Sequence, residues 1–386
     1  MRIGISGYVG NRLTGIGRVL INVLIELAQQ HIEDEYIIFR NYDFKEYDCL
    51  KAYTNIKLID VPYTKESGLK NILWHQWVFQ KLLKQYKCDI AYIPNFTLLL
   101  WKVVPTIVTI HDLIEFNIPE KFSKARMLYR KLLADPLMAN RSDHILTVSQ
   151  SSFNDIVKYL RVNPKKITLT PNASDKKIFK KYPRNDVKET IATHHLEYKE
   201  YLLFVGTIDY PGKNIKTVIE AFFNLRAKGE LIGKKLVIIG KDGFNANIIY
   251  DYVNQSPFKN EVIFTGYLKD EKLPHYYAGA AIMLYLSLFE GFGLPVLEAM
   301  SCGTPVICPN TSCFPEIVGE LNVCVSPTDV KTVEGKILRI TTDKLYAEEL
   351  ATSCYEKSLK YDWSKSAEIY HQVFKRYERY KNIPEK

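Results

Sequence analysis

Short apolar runs alternate with longer amphipathic stretches along nearly the whole chain. Residues 2–6, 36–40, 56–61, 89–93, 105–110, 145–148 and 167–169 are strand candidates by their length and apolar content. Between them, residues 17–30 place Val19, Val23, Leu24 and Leu27 on one helical face. Residues 69–86 do the same with Ile72, Leu73, Trp77, Leu82 and Leu83, which predicts a helix with one buried side. Ser149-Gln150-Ser151-Ser152 supplies an N-cap for a helix running through Tyr159.

Residues 174–200 change character. They are polar, charged and weakly periodic, as a linker would be. A second series follows, with strands predicted at 201–205, 235–239, 262–265, 281–286 and 305–308. Helices are predicted at 214–227, 244–254, 294–302, 330–360 and 364–379. Strands alternating with helices imply parallel sheets covered on both faces. The expected class is therefore α/β, with two doubly wound Rossmann-like domains facing a central cleft. The expected boundaries are 1–173, a linker at 174–200, 201–363, and a closing segment at 364–386. In such sheets ligands bind beyond the carboxyl ends of the strands, and paired domains place the site in the cleft.

Composition narrows this picture. With 386 residues, 47% hydrophobic and 25% charged, the chain has the length of two domains and too much apolar content for disorder. The most apolar stretch, 278–289, ends at Glu290 and is shorter than the roughly 20 residues a membrane span takes. The opening MRIGISGYVG lacks the apolar core of a secretory signal. The seven cysteines are scattered, with no C-x-x-C pair, which fits a reducing cytosol and argues against a structural zinc site. The net charge of +9 admits a nucleic acid, an anionic membrane or an anionic small substrate as partner. No helix-turn-helix, zinc-finger or RNP pattern appears and the basic residues are dispersed, so nucleic acid is disfavoured.

The strongest chemical feature is Glu290-Gly291-Phe292-Gly293-Leu294-Pro295-Val296-Leu297-Glu298, followed by Gly303-Thr304-Pro305. Two glycines after a strand permit a sharp turn and close approach of backbone to a ligand. Pro295 suits a helix start, whose free N–H groups attract a phosphate. Glu298 is expected in the first helical turn, where its carboxylate suits a ribose diol better than a phosphate.

This string resembles the E-x7-E donor signature of the retaining glycosyltransferases of family 4, which have the GT-B fold. The resemblance extends to Phe204-Val205-Gly206-Thr207, Gly212-Lys213-Asn214, Phe264-Thr265-Gly266-Tyr267-Leu268, Leu273 to Ala280, Thr14-Gly15-Ile16-Gly17-Arg18 and Ile110-His111-Asp112-Leu113. It implies that Glu290 contacts the donor sugar and that Glu298 holds the ribose. Lys213 would bind the diphosphate, and the backbone N–H groups of Phe292, Gly293 and Leu294 would approach sugar and phosphate. Thr207, Tyr267, Gly15 and Gly17 join the donor-binding set, and His111 lies near the reacting sugar. Asp112 either joins the site or caps the following turn, and Asn172 stands in a family turn with Ala173 in place of Gly. The second phosphate cation of many members is missing: Thr207 stands where they carry Arg, and Lys241 is the candidate substitute. The last helix would cross back to the first domain, as in GT-B enzymes.

The implied activity is transfer of a hexose, with retention, from a nucleotide-diphosphate sugar. Mannose from GDP-mannose is favoured, because the N-terminal half is most similar to the mannosyltransferase-like branch. The implied acceptor is a glycan or lipid-linked glycan of a surface polysaccharide such as lipopolysaccharide. No cofactor or metal is expected, since no D-x-D signature is present. The alternatives are a GT-B nucleotide-sugar epimerase or hydrolase, and a dinucleotide-dependent oxidoreductase. The latter's G-x-G-x-x-G fingerprint fails at Leu20. The expected location is cytoplasmic, with peripheral contact at the inner face of the plasma membrane. Residues 119–133 are read as one basic amphipathic helix, with Lys121, Lys124, Arg126, Arg130 and Lys131 opposite Phe122, Ala125, Tyr129 and Leu132. Such a helix either lies on an anionic membrane or is a solvated face over a core. Trp74 and Trp77 are read as a core pair.

Overall fold

The structure is a computed structural model and describes residues 1–7, 15–40, 45–61, 68–95, 97–121 and 123–378. It forms two compact units: Met1–Asn172 with Asp362–Lys386, and Ala173–Tyr361.

The first unit is built on seven parallel strands: β1 (Arg2–Ser6), β2 (Glu35–Arg40), β3 (Ile56–Asp60), β4 (Ile90–Ile93), β5 (Thr106–Ile110), β6 (His144–Thr147) and β7 (Ile167–Leu169). Their order is β3-β2-β1-β4-β5-β6-β7. Ile3 pairs with Tyr36 on one side and Ile90 on the other, so β1 is central and the order reverses beside it. Its Ile3 and Ile5 are fully buried, as a strand covered on both faces demands. The helix Gly15–Gln30 packs against Trp363–Glu378 on one face. Trp74, Phe79 and Leu83 share a core cluster with Met138, Ala139, Ile156 and Leu160, so the helices at 68–85, 135–141 and 150–160 cover the other face. The last helix belongs to this unit. Ser366 donates to the Pro171 carbonyl at 2.5 Å, and the Tyr370 ring meets Tyr92 edge-on at 5.6 Å.

The second unit carries six parallel strands: β8 (Tyr201–Val205), β9 (Lys235–Ile239), β10 (Val262–Gly266), β11 (Ile282–Leu284), β12 (Val306–Pro309) and β13 (Cys324–Val325). Their order is β10-β9-β8-β11-β12-β13, with the reversal between β8 and β11. Among the described residues, no helix is long and apolar enough to cross a membrane.

Four local expectations change. The stretch 174–200 is not a plain linker: Arg184–Ile191 is a helix of the second unit, and it buries Val187 and Ile191. Both reach Gly279 so closely that a Cβ there would lie 3.0 Å from Val187 Cγ1. Two apolar residues four apart suffice to dock a helix whose other faces stay polar. The predicted helix 330–360 is two helices, Val330–Thr342 and Lys344–Ser358, because the Asp343 carboxylate accepts from the Tyr346 amide at 3.0 Å and starts a new cap. Trp74 and Trp77 do not pair in the core: Trp74 is buried, whereas Trp77 is 65% exposed. The basic helix at 119–133 is broken into a 3-10 turn at Pro119–Lys121, a helix at Lys124–Tyr129 and a π-helical turn at Arg130–Ala134. The wider turn points Arg130 inward, to Asp135 at 2.7 Å and Glu115 at 3.1 Å, and turns Leu132 out to 64% exposure. Phe122 lies outside the described residues.

Candidate active site

The reversal of strand order between β8 and β11 leaves two loops of the second unit side by side at the strands' carboxyl ends. The 210–214 loop is tied to the segment after β11. The Gly212 carbonyl accepts from the Leu288 amide at 2.9 Å. Asn214 sits in the left-handed region with φ 50°; its side-chain nitrogen donates to the Pro327 carbonyl at 2.6 Å, and its side-chain oxygen accepts from Thr217 at 2.9 Å. Lys213 is therefore flanked by two anchored residues, Gly212 through its carbonyl and Asn214 through its side chain.

Its ammonium donates to Glu290 Oε1 at 2.5 Å and to the Tyr285 hydroxyl at 3.0 Å. The same Oε1 accepts from the Ser287 hydroxyl at 2.6 Å and the Tyr285 hydroxyl at 3.0 Å. Burial alone would push the lysine toward neutrality, but Glu290 and Tyr285 outweigh it and hold the ammonium charged. Burial likewise works against the Glu290 carboxylate, and Lys213, Ser287 and Tyr285 together keep its pKa below the ordinary value. The Tyr285 phenol is pushed up by burial and by Glu290, so it stays protonated. The result is a fixed cation beside a fixed anion. Its Oε1 is occupied, while Oε2 takes none of these bonds.

After Glu290 the chain turns through Gly293, whose φ is 82° and where a Cβ would lie 2.7 Å from the Phe314 ring. Only glycine fits there. The helix Leu294–Ser301 begins at once, with Pro295 in its first turn, where a missing N–H costs nothing. Phe292 is buried edge-on against Tyr361 at 5.6 Å, which fixes the loop. Because the helix starts at Leu294, Glu298 lies in its second turn rather than the expected first, and the helix dipole is not what holds it. Its carboxylate is buried and accepts from the Tyr277 hydroxyl at 2.9 Å.

Thr207, Lys241 and Tyr267 follow β8, β9 and β10, three neighbouring strands. Here the backbones run close: a Cβ on Gly240 would lie 1.8 Å from the Gly206 carbonyl oxygen. Thr207 is exposed, and the Lys241 ammonium sits 4.1 Å over the Tyr267 ring. In the first unit, Gly15 opens its helix exposed to solvent and Gly17 is buried within it, while Thr14 lies outside the described residues. His111 follows β5, with Nε2 3.0 Å from the Pro94 carbonyl oxygen. Burial pushes its pKa down to about 4, so near pH 7 the ring is neutral, donating from Nε2 and keeping Nδ1 as an acceptor. The Asp112 carboxylate accepts from the Ile114 amide at 3.2 Å, which caps the following turn. Asn172 is buried at the end of this unit.

Sequence reasoning did not single out Tyr285, Ser287 or Tyr277. Each is a polar-tipped residue in an otherwise apolar stretch close before the E-x7-E string or its helix, and a buried phenol or hydroxyl needs a partner. That requirement was the available signal. Among the described residues, one group has the spacing of metal ligands: His31, Glu33 and His371 in the first unit. The two imidazoles are stacked at 3.4 Å with planes 4° apart. Imidazole nitrogens bind metal in the ring plane, and parallel rings cannot both aim at one ion.

Residues 13–177 match the family described as Glycosyltransferase Family 4, and residues 186–360 match Glycosyl transferases group 1. The chain is 30% identical over 360 residues to the O-antigen chain mannosyltransferase B of Escherichia coli, covering 91% of this chain and 93% of that one. It is 26% identical over 283 residues to the serotype-specific mannosyltransferase WbdA of Escherichia coli, covering 72% of this chain and 34% of that longer one. Among solved structures, Anabaena Alr3699/HepE in complex with UDP-glucose superimposes with a TM-score of 0.76 at 15% identity, over 97% of this chain and all of that one, which supports the shared fold. With two doubly wound parallel sheets and matches that run through both units, the chain belongs to glycosyltransferase family 4 and is a glycosyltransferase of the GT-B fold.

Proposed function

We propose that this protein transfers mannose from GDP-mannose, with retention at the anomeric carbon, to a glycan or lipid-linked glycan of a surface polysaccharide. The observation that carries the chemistry is the Lys213–Glu290–Tyr285 cluster. When the bond from the anomeric carbon to the diphosphate breaks, negative charge grows on the departing oxygen. A fixed ammonium in a partly buried site stabilises that charge without reorganising. Lys213 has three N–H donors and spends two on Glu290 and Tyr285, which leaves one for the diphosphate. Glu290, with Oε1 saturated, offers Oε2 to a sugar hydroxyl. The backbone N–H groups of Phe292, Gly293 and Leu294 face the sugar and diphosphate, and Glu298 takes the ribose hydroxyls. Thr207 and Tyr267 line the donor, with Lys241 as the second phosphate cation. In the first unit, neutral His111 with Gly15 and Gly17 contributes ligand contacts. The acceptor oxygen bonds to the anomeric carbon from the face the diphosphate leaves, and its proton passes to the departing diphosphate oxygen. No metal takes part, and the enzyme works in the cytoplasm at the inner face of the plasma membrane.

Mannose is supported by the names of the Escherichia coli relatives. The test is turnover of GDP-, UDP-, dTDP- and ADP-sugars with and without a mannose-terminated glycan acceptor, in buffer containing EDTA. GDP-mannose is expected to give an acceptor-dependent α-linked product by NMR. Lys213→Ala and Glu290→Ala are each expected to lower kcat/KM by about two to three orders of magnitude. Acceptor-independent epimerisation or hydrolysis as the main reaction overturns the transferase reading. Preference for another sugar overturns the donor, a β-linked product overturns retention, and loss of turnover in EDTA overturns metal independence.

A further inference from the structure

The two members of the Lys213–Glu290 pair are held from neighbouring strands of the second unit. On one side, the chain leaves β12 and reaches Ser312, whose hydroxyl donates to the Glu290 carbonyl at 2.5 Å and accepts from the Glu290 amide at 3.3 Å. Just beyond, the Phe314 ring stands 5.8 Å from that of Tyr285. On the other side, the chain leaves β13 and reaches Pro327, whose carbonyl takes the Asn214 side chain beside Lys213. The spacing of β12 and β13 therefore bears on how Glu290 sits against Lys213. β13 is only two residues long and lies at the sheet edge beside β12. Across these strands two cysteines face each other. Cys308 is in register with Cys324, and their sulfurs are 3.9 Å apart. Cys308 is fully buried, whereas Cys324 is partly exposed.

The two thiols differ in acidity. Burial pushes the Cys308 thiol up, while a hydrogen bond from Cys308, helped by the Lys336 charge, pulls Cys324 below the ordinary thiol value. Lys336 is fixed near β13 by the Asn322 carbonyl at 2.8 Å and the Asn322 side chain at 2.9 Å. Cys324 is thus the more readily ionised thiol and the nucleophile, with Cys308 as the S–H donor beside it. Of the other five cysteines, Cys88, Cys302, Cys313 and Cys354 are buried, and exposed Cys49 donates to the Glu46 carbonyl at 3.5 Å. Cys324 combines access from solvent with a sulfur neighbour. Paired strands run about 4.8 Å apart, which lies within the Cα separations a disulfide spans, but bonded Cβ atoms lie about 3.8 Å apart. Bridging therefore draws β13 about 1 Å toward β12, a movement that a two-residue edge strand permits.

We propose that Cys324 and Cys308 are a modification site for hydroperoxides: oxidation joins them in a reversible disulfide that lowers the activity of the Lys213–Glu290 site. The Cys324 sulfur attacks one peroxide oxygen, the O–O bond breaks, and Cys324 becomes a sulfenic acid while its proton leaves with the other oxygen as water. The Cys308 sulfur then attacks the Cys324 sulfur, the S–O bond breaks, and the Cys308 proton leaves with the hydroxyl as a second water. Two thiols have lost two electrons, one peroxide has gained them, and a dithiol reverses the change. A displacement of about 1 Å near fixed catalytic charges is enough to cost about tenfold or more in rate. The effect on turnover rests on the activity given under Proposed function, whereas the bond itself is read without substrate. The dithiol-reduced full chain, freed of reductant and treated with a slight excess of hydrogen peroxide, is expected to lose two of its seven free thiols and the mass of two hydrogens. Residues 308 and 324 are expected in one cross-linked peptide by mass spectrometry. Transfer is expected to fall about tenfold or more in kcat/KM and to return with dithiothreitol. Amide hydrogen exchange over residues 287–291 is expected to quicken in the oxidised chain, whatever the donor proves to be. Cys308→Ala is expected to stop at a sulfenic acid on Cys324, trapped by dimedone. Cys324→Ser, a change at a partly exposed position, is expected to keep wild-type activity and to lose the peroxide response. The proposal is overturned if all seven thiols survive peroxide, if the oxidised sulfurs are other than these two, or if peroxide inactivates Cys324→Ser as it does the wild type. A disulfide that leaves exchange or the turnover of an active enzyme unchanged overturns the link to the site. A disulfide that quickens exchange in a chain that turns over no donor supports this proposal and overturns the transferase reading instead.

Discussion

A single hydroxyl joins the two charges on which the proposed chemistry depends. Tyr285 accepts from Lys213 and donates to Glu290, both at 3.0 Å, so it fixes the direction of each without carrying charge itself. Tyr285→Phe removes that one oxygen and keeps the ring, which stacks on Phe204 at 5.7 Å. The expected result is a fall in kcat of about three- to thirtyfold with donor affinity little changed, and a stability loss of about 1–2 kcal/mol for the lost buried bonds. Steady-state kinetics and a thermal melt check the two parts separately; a variant with wild-type kcat would leave Tyr285 a packing residue. Lys213 and Glu290 were legible in the sequence because each stands in a motif with its own spacing. Tyr285 was not, because it sits in an apolar run where a phenol reads as bulk until its partners are known.

At the scale of elements, the turn from Glu290 into its helix depends on backbone that only glycine adopts without strain. Two glycines bracket this helix with left-handed φ, Gly293 at 82° and Gly303 at 73°, but their surroundings differ. A Cβ on Gly293 would lie 2.7 Å from the Phe314 ring, which is buried and cannot give way. On Gly303 it would lie 3.2 Å from Lys181 Cε, the far end of a flexible side chain. Gly293→Ala is therefore expected to cost about 2–4 kcal/mol, the left-handed penalty plus overpacking, and to lower kcat/KM more than tenfold by moving the helix start. Gly303→Ala is expected to cost about 1 kcal/mol and to leave kcat/KM within about twofold. Equal losses of activity in the two variants would show that backbone strain, not placement of the helix start, is what matters. Elements with a strong apolar period were readable to within a residue or two, as at Tyr201–Val205 and Lys235–Ile239. The helix Arg184–Ile191 was not, since two buried residues in a charged stretch make no visible period. Nor was the break at Asp343, since a capping carboxylate inside a long helical pattern looks like one more surface charge. The π-helical turns were unreadable for a related reason: an inserted residue shifts the face by about 100°, so a 3.6-residue period assigns Trp77 and Leu132 to the wrong side.

For the whole molecule, the alternation of strands and helices was enough to give two doubly wound units, but not the chemistry stored inside the first one. Three of its histidines, His75, His111 and His144, are held neutral, each with its pKa pushed down to about 4, chiefly by burial. Burial is what makes a second proton unwelcome, and the neutral rings still satisfy their hydrogen-bond partners. His75 lies between the Asn71 carbonyl at 2.9 Å and the Ser6 hydroxyl at 2.8 Å, and a neutral ring satisfies both by donating to the first and accepting from the second. His144 lies between the Thr168 and Tyr377 hydroxyls at 2.8 and 3.2 Å, with Arg376 and Lys166 close enough to oppose a positive charge. In the unfolded chain these rings take up protons near pH 6.5, and in the folded unit only near 4. Between those values the unfolded state holds more protons, so stability falls as pH falls, by up to about 4 kcal/mol per pH unit while all three differ. Urea melts followed by tryptophan fluorescence are therefore expected to shift to lower urea from pH 6.5 toward pH 4.5. His75→Asn is expected to remove about a third of that slope. Imidazole C2 proton resonances of the three rings are expected to stay unshifted above about pH 5.5. If they titrate near 6.5 and the melts are flat across that interval, the rings are not held neutral, and a neutral His111 would have to be dropped from the proposed site.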